Sequence, residues 1–126
     1  MEVIEHIQKY DVVVVTETKL DDKVTQSALS IPGYLLIRQD RNANGGGVAM
    51  YIKEEWNPCQ AEDIQGLYVK EGLEVIVAII AWQRPAWKAT LIGAYRPPSA
   101  PASWSQRCDN LIIEAMAKGP LILSAI

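Results

Sequence analysis

The fold of this chain is decided by residues 11–22, which read DVVVVTETKLDD. Four consecutive β-branched residues favour a strand, and because no polar residue interrupts them, they predict a strand covered on both faces. The chain then passes directly into Thr16, Glu17 and Thr18. Two interpretations follow: a core strand that ends at the surface, or a strand whose carboxyl end holds Glu17 over a reaction site.

Composition limits the classes of protein to consider. The chain has 126 residues, 49% hydrophobic and 21% charged, which is typical of one globular domain. Its formal net charge of −3 means that any affinity for phosphate has to be local. Two distant cysteines in no metal-ligand spacing predict reduced thiols in an intracellular protein, nuclear or cytoplasmic. The N-terminus lacks a signal-peptide pattern, and the longest apolar run, residues 75–82, is too short to cross a bilayer.

The next segments alternate between apolar runs and turn residues, which predicts a strand-rich domain. Residues 34–38 and 48–52 are predicted to form a hairpin around the turn segment 40–46. We predict a second strand pair from residues 64–70 and 73–82.

The last third of the chain predicts a strand, a helix and a further strand. Residues 90–95 form a buried apolar run that ends before Pro97. Ser103 and Gln106 have the spacing of a capping box at the start of a helix. The apolar stripe of this helix consists of Trp104, Cys108, Leu111, Ile112 and Ala115. Residues 121–123 begin another buried strand, so the fold class is α/β in layers.

The order of these segments resembles the endonuclease/exonuclease/phosphatase family. It is most similar to the apurinic-endonuclease-like endonucleases of non-LTR retrotransposons, which are associated with reverse transcriptases. Four motifs carry the resemblance, over about residues 7–123: DVVVVTETKLDD, IPGYLLIRQDRNANGGGVAMYIKE, LIGAYRPPS and GPLIL. The resemblance implies a four-layer α/β/β/α sandwich, with two sheets face to face, helices outside, and an active site across one edge of the sheets.

The resemblance also implies a chemistry and two site residues. Family members hydrolyse phosphodiesters with Mg²⁺ or Mn²⁺, and the metal stabilises charge on the phosphate and the leaving oxygen. Glu17 matches the family's metal-binding glutamate. Tyr95 of AYRPPS matches the tyrosine that approaches the scissile phosphate and is our predicted catalytic residue. The expected cofactor is therefore Mg²⁺ or Mn²⁺, bound weakly or not at all by one carboxylate.

DNA is the partner that this activity implies, without a membrane or a small-molecule cofactor. Four polar residues are candidate contacts to its backbone: Arg38, Arg41, Asn42 and Arg96. Surface ion pairs are the commoner role of an arginine, so both interpretations stay open. The run of three glycines at residues 45–47 lacks the lysine of a phosphate-binding P-loop and indicates turn geometry and close backbone packing instead.

Several departures from the family pattern argue against full activity. After GPLIL the family continues with glycine, aspartate, a large residue and asparagine, whereas this chain has Ile126 in the aspartate register. An apolar side chain can neither orient a water nor donate a proton. No residue here matches the family's upstream asparagine. No residue matches its catalytic histidine either, because the one histidine, His6, precedes the first predicted strand.

We therefore predict that residues 1–126 form one partial domain, incomplete at both ends and inactive as a nuclease. Two alternatives remain. One is a non-catalytic remnant that binds nucleic acid or another partner, and the other is a decayed reading frame with no function.

Overall fold

The computed structural model describes residues 7–41, 45–83 and 86–125. Within these ranges the fold is mixed α/β, with two sheets and three α-helices. The strands are β1 (Val12–Thr16), β2 (Tyr34–Gln39), β3 (Val48–Lys53), β4 (Cys59–Gln60), β5 (Glu74–Gln83), β6 (Ala86–Tyr95) and β7 (Leu121–Ala125). The helices are α1 (Gln26–Leu29), α2 (Glu62–Lys70) and α3 (Trp104–Met116), and a 3₁₀ turn spans Glu54–Trp56.

The first sheet has the order β1-β3-β2, and both of its pairings are antiparallel. The valine run forms β1, as predicted, and its side chains alternate between two apolar clusters. Val12 and Val14 pack towards the second sheet, whereas Val13 and Val15 pack on the opposite face. The prediction of a strand covered on both faces is confirmed. Each valine is only half-buried, because among the described residues β1 pairs with β3 alone.

The second sheet has the order β4-β5-β6-β7. β5 and β6 form a long antiparallel ladder that begins with the pair Glu74 and Tyr95. β7 then pairs parallel to β6 after the connection through α3. The predicted strands at residues 34–38, 48–52, 73–82, 90–95 and 121–123 are therefore all confirmed, with boundaries that shift by a few residues.

The two sheets pack against each other through a shared apolar cluster. Its buried members are Ile37, Val48, Met50, Ile52, Ile76, Ala78, Ile80, Ala89 and Leu91. Gly93 of β6 lies where the sheets approach most tightly, because a Cβ there would be 2.9 Å from Met50 Cε and 3.2 Å from Val14 Cγ1. The side chains of the first sheet thus occupy the space that a larger residue at position 93 would need.

Two further clusters cover the outer faces of the sheets. Helices α2 and α3 pack on the second sheet through Ile64, Tyr68, Leu73, Val75, Val77, Ile92, Ala94, Trp104, Cys108, Leu111 and Ala115. The outer face of the first sheet is covered by Ile7 and Ile31, with Leu29 of α1 beside them. The buried position of Cys108 on α3 agrees with the sequence prediction.

Two sequence predictions about local structure are wrong. Residues 64–70 were expected to form a strand but belong to helix α2, in which Ile64 and Tyr68 are buried one turn apart. Gln65 fastens this helix to the sheets, because its side chain accepts from Val77 N (3.0 Å) and donates to Gln39 Oε1 (3.3 Å). The helix α3 is confirmed, but Ser103 makes no side-chain capping bond because its backbone is already helical.

The close approach at Gly93 gives a test of the fold. Gly93→Ala should lower the free energy of unfolding by about 1–2 kcal/mol, because the added methyl group presses on the stiff side chain of Val14 and on the buried Met50. Urea denaturation measures this change.

Gly66→Ala is the matched control, because a Cβ at this helical position meets nothing within 4 Å. It should raise the free energy of unfolding by about 0.5–1 kcal/mol. Equal effects of the two substitutions would contradict the packing described at Gly93.

Candidate active site

The structure brings together the two site residues predicted from the sequence. Tyr95 Oη donates a hydrogen bond to Glu17 Oε1 at 2.8 Å, across 78 positions of sequence. Glu17 follows the last residue of β1 in the first sheet, and Tyr95 is the last residue of β6 in the second. Because the sheets pack face to face, the ends of these two strands meet at one edge of the molecule. Glu17 is exposed, whereas Tyr95 is buried.

Glu17 has an unusual backbone conformation. Its φ is +52° and that of Lys19 is +55°, a region in which a non-glycine residue costs about 1–2 kcal/mol. Two backbone hydrogen bonds hold this turn: Thr18 N donates to Gly47 O (3.3 Å) and Lys19 N donates to Gly46 O (2.9 Å). The segment Gly46-Gly47 therefore sets the path of the chain on both sides of the Glu17 carboxylate.

The glycines at this point are required by their backbone conformation, and both also lie close to a neighbouring side chain. Gly46 and Gly47 have φ values of +70° and +92°. A Cβ at Gly47 would overlap Thr18 Oγ1, and one at Gly46 would overlap the guanidinium group of Arg41. The interpretation of the glycine run as turn geometry and close packing is confirmed for these two residues.

Glu74 is a second acidic residue at the site, and it was not predicted from the sequence. It is the first residue of β5 and lies opposite Tyr95 in the ladder. Its Oε1 accepts from Gly47 N at 3.0 Å and lies 3.6 Å from Arg41 Nε. Its Oε2 is buried and has no hydrogen-bond partner among the described residues. In the sequence it looks like the polar start of an apolar strand; only the strand register identifies it.

The two acids affect the ionisation of Tyr95. Its hydrogen bond to Glu17 raises the pKa of the phenol above the usual 10.0, and burial and the negative charges of Glu17 and Glu74 act in the same direction. Arg41 has a smaller opposite effect on this pKa. At neutral pH the hydroxyl group is therefore protonated and acts as a hydrogen-bond donor at the edge of the sheets.

Arg38, one of the predicted DNA contacts, is engaged inside the protein. Its guanidinium group forms a two-point ion pair with Asp40, with distances of 3.2 Å and 2.7 Å. It also donates to the carbonyl oxygens of Val24 (2.7 Å) and Asp21 (3.0 Å). These bonds tie residues 21–24 to β2.

Arg41 and Arg96 remain more accessible. The Arg41 side chain is 46% exposed, and its Nε donates to Gly45 O at 3.1 Å. Arg96 is exposed, with Nη1 3.4 Å from Ser105 Oγ and its guanidinium carbon 5.4 Å from the centre of the Trp104 ring. Asn42, the fourth predicted contact, lies outside the described residues.

The metal-binding capacity of the site rests on few ligands. In the part of the chain that the structure describes, no group of three or more His, Cys, Asp or Glu side chains is arranged to hold a metal ion. Glu17 offers one accessible carboxylate, which is an oxygen donor of the kind that Mg²⁺ and Mn²⁺ prefer.

Within residues 7–41, 45–83 and 86–125, no helix combines the length and the apolar character needed to cross a bilayer.

A scan against protein-family models finds no match, and a search of curated proteins finds no significant match.

The hydrogen bond between Glu17 and Tyr95 gives a test of the site geometry. Glu17→Gln should lower the pKa of Tyr95, because it replaces the carboxylate, whose hydrogen bond with the phenol is the largest cause of the upward shift, with a weaker neutral acceptor and removes a negative charge. NMR titration of tyrosine labelled with ¹³C at Cζ, assigned with Tyr95→Phe, measures this. A raised folded-state pKa means that the phenol's contribution to stability is present below pH 10 and lost as the pH rises through that pKa. This loss should be smaller in Glu17→Gln.

Tyr68 is the internal control for this titration. Burial is the main cause of its raised pKa, and its hydroxyl group bonds Glu114 at 3.2 Å, away from Glu17. Its pKa should not change in Glu17→Gln. An unchanged pKa of Tyr95 in that variant would mean that the two side chains are not in contact.

Proposed function

We propose that this chain is a divalent-metal phosphodiesterase scaffold of the endonuclease/exonuclease/phosphatase type, derived from a retrotransposon endonuclease. In this proposal Glu17 binds Mg²⁺ or Mn²⁺ and Tyr95 donates a hydrogen bond to a phosphate oxygen. The 2.8 Å contact between these residues is the observation that carries the proposal. The resemblance names an acid and a phenol from distant motifs, and a site of this type needs both at one place.

The packing of the chain supports the same proposal. The sheets share one apolar cluster, helices α2 and α3 cover the outer face of the second sheet, and Ile7, Leu29 and Ile31 cover the first. We propose that this arrangement corresponds to a four-layer α/β/β/α sandwich. The edge at which β1 and β6 end is then the edge that carries the active site.

The properties of the two side chains fit these roles. Because Glu17 is exposed, its carboxylate can bind a hard cation while water and a phosphate oxygen complete the coordination. Because the pKa of Tyr95 is raised, the phenol keeps its proton and can donate to an anionic phosphate. When a phosphate binds, the phenol would exchange its bond to Glu17 for one to the substrate, which frees the carboxylate for the metal.

The proposed activity is metal-dependent binding of DNA phosphates with little cleavage. By resemblance, Ile126 takes the register of an aspartate that acts in the chemical step, and an apolar side chain cannot replace it. Residues that act as one catalytic unit are strongly non-additive, and loss of one member costs about three to six orders of magnitude in rate.

Metal binding and cleavage can be measured on the same protein. Mn²⁺ should bind weakly, as measured by the increase in water-proton relaxation, and Glu17→Gln should weaken it further, about tenfold. Glu62→Gln is the matched control, because it removes the same charge from an exposed position on helix α2. Equal losses in both variants would exclude Glu17 as the ligand.

Nicking of supercoiled plasmid in Mg²⁺ or Mn²⁺ tests the expectation on cleavage. The chain should not nick above the level of Glu17→Ala. Efficient nicking that disappears in Glu17→Ala would support the metal site and refute the claim of inactivity.

DNA binding without any metal chemistry is the second candidate, because Arg41 and Arg96 are accessible and flank the site. Fluorescence anisotropy with a short duplex should then give an affinity that falls steeply between about 50 and 200 mM salt. Arg41→Gln and Arg96→Gln should each weaken binding at low salt by a few-fold. Lys118→Gln, in a different pocket beside Gln60, should not. Absence of binding at the lowest salt would exclude this candidate.

A further inference from the structure

We infer that Glu74 is a positioning residue of this site: its Oε1 fixes Gly47, whose segment in turn sets the backbone of Glu17. The functional meaning of this inference rests on the proposed role of Glu17 as a metal ligand. The structural part, that Glu74 determines the path of residues 17–19, can be tested independently.

The first step is the placement of Glu74 itself. Its side chain is only 12% exposed, which is unusual for a glutamate because burial of a charge is costly unless it is compensated. The strand register fixes its position, since it lies directly opposite Tyr95 at the start of the β5–β6 ladder. A rigid strand therefore holds the carboxylate at one point beside the site.

The second step is the bond from Glu74 to the glycine segment. The amide of Gly47 donates to Glu74 Oε1 at 3.0 Å, whereas Arg41 Nε is 3.6 Å away and belongs to a half-exposed side chain. A buried backbone amide that loses its acceptor is costly, whereas an ion pair with a half-exposed side chain contributes little. The contact with Gly47, more than the ion pair, therefore gives Glu74 its structural effect.

The third step leads from the glycines to Glu17. The carbonyl groups of Gly47 and Gly46 accept from Thr18 N and Lys19 N. Glu17 lies in the strained turn that these bonds stabilise, and its carboxylate accepts from Tyr95. This series of contacts leads back to Glu74, because Tyr95 lies opposite Glu74 in the β5–β6 ladder. Glu74 thus connects the second sheet to the turn that presents the acid of the first.

Three substitutions of Glu74 distinguish the effect of its accepting oxygen from the effects of the charge and the length of its side chain. Glu74→Gln keeps an oxygen that can accept from Gly47 N. Glu74→Asp keeps the charge but is one methylene shorter and does not reach, and Glu74→Ala removes the group. If Glu74 positions the turn of residues 17–19, the Gln variant should behave like the original protein. In both the Asp and the Ala variant this turn should open more easily. The Asp variant preserves the test if Ala does not fold.

Hydrogen exchange at the amides of Thr18 and Lys19 is the direct measurement. Both should exchange about tenfold faster in Glu74→Asp and Glu74→Ala, because local opening of the turn no longer requires loss of the Gly47 contact. Amides of helix α3 should be unaffected. Glu114→Ala is the matched control, since Glu114 is also a partly buried glutamate that accepts one hydrogen bond, from Tyr68.

Mn²⁺ affinity is the second measurement, and a merely structural role would not give its pattern. The affinity should fall about tenfold in Glu74→Asp and Glu74→Ala and be retained in Glu74→Gln. Unchanged exchange at Thr18 and Lys19 in all variants, or a Gln variant that behaves like Ala, would overturn the inference. If the unaltered chain binds no Mn²⁺, the proposed function fails, and the exchange results still decide whether Glu74 positions residues 17–19.

Discussion

Close packing of the two sheets is the constraint on which the candidate site depends. Glu17 belongs to the end of β1 and Tyr95 to the end of β6, and no backbone ladder connects these strands. The apolar cluster between the sheets, with its tight point at Gly93, is the largest contact that fixes their relative position. The polar contact at the edge is therefore a consequence of apolar packing in the interior, since close-packed interiors transmit small displacements.

The backbone conformation of Glu17 also helps to fix the position of its carboxylate. A left-handed conformation at a glutamate persists only when its surroundings over-determine it, and here the carbonyl groups of Gly46 and Gly47 do so. Without this turn, β1 would continue along its own direction and carry the acid past the phenol. The four valines and the two glycines therefore act together. The valines form a rigid strand that leads to the site, and the glycines hold the turn at the end of that strand.

Much of the fold could be predicted from the sequence, because β-branched runs and turn residues mark strands strongly. Helix α2 could not, since Ile64 and Tyr68 have helical spacing within a segment that also contains β-favouring residues, and packing on the second sheet decides the outcome. Glu17 and Tyr95 were identified by motif, whereas Glu74 was not, because its importance comes from a cross-strand pairing. The hydrogen bonds from Arg38 to the carbonyl oxygens of Val24 and Asp21 could not be predicted either, because these residues lie in a separate loop.

The position of β1 in its sheet has a consequence for self-association, because within residues 7–41, 45–83 and 86–125 only one edge of this strand is paired. The unpaired edge of an apolar strand is a template for a second chain, and natural proteins protect such edges with charge. If the β1 strands of two copies paired antiparallel about Val14, Asp11 just before one strand would come close to Glu17 just after the other. Both residues are acids, so their repulsion opposes this pairing, and the carboxylate that is proposed to bind a cation also disfavours self-association through β1.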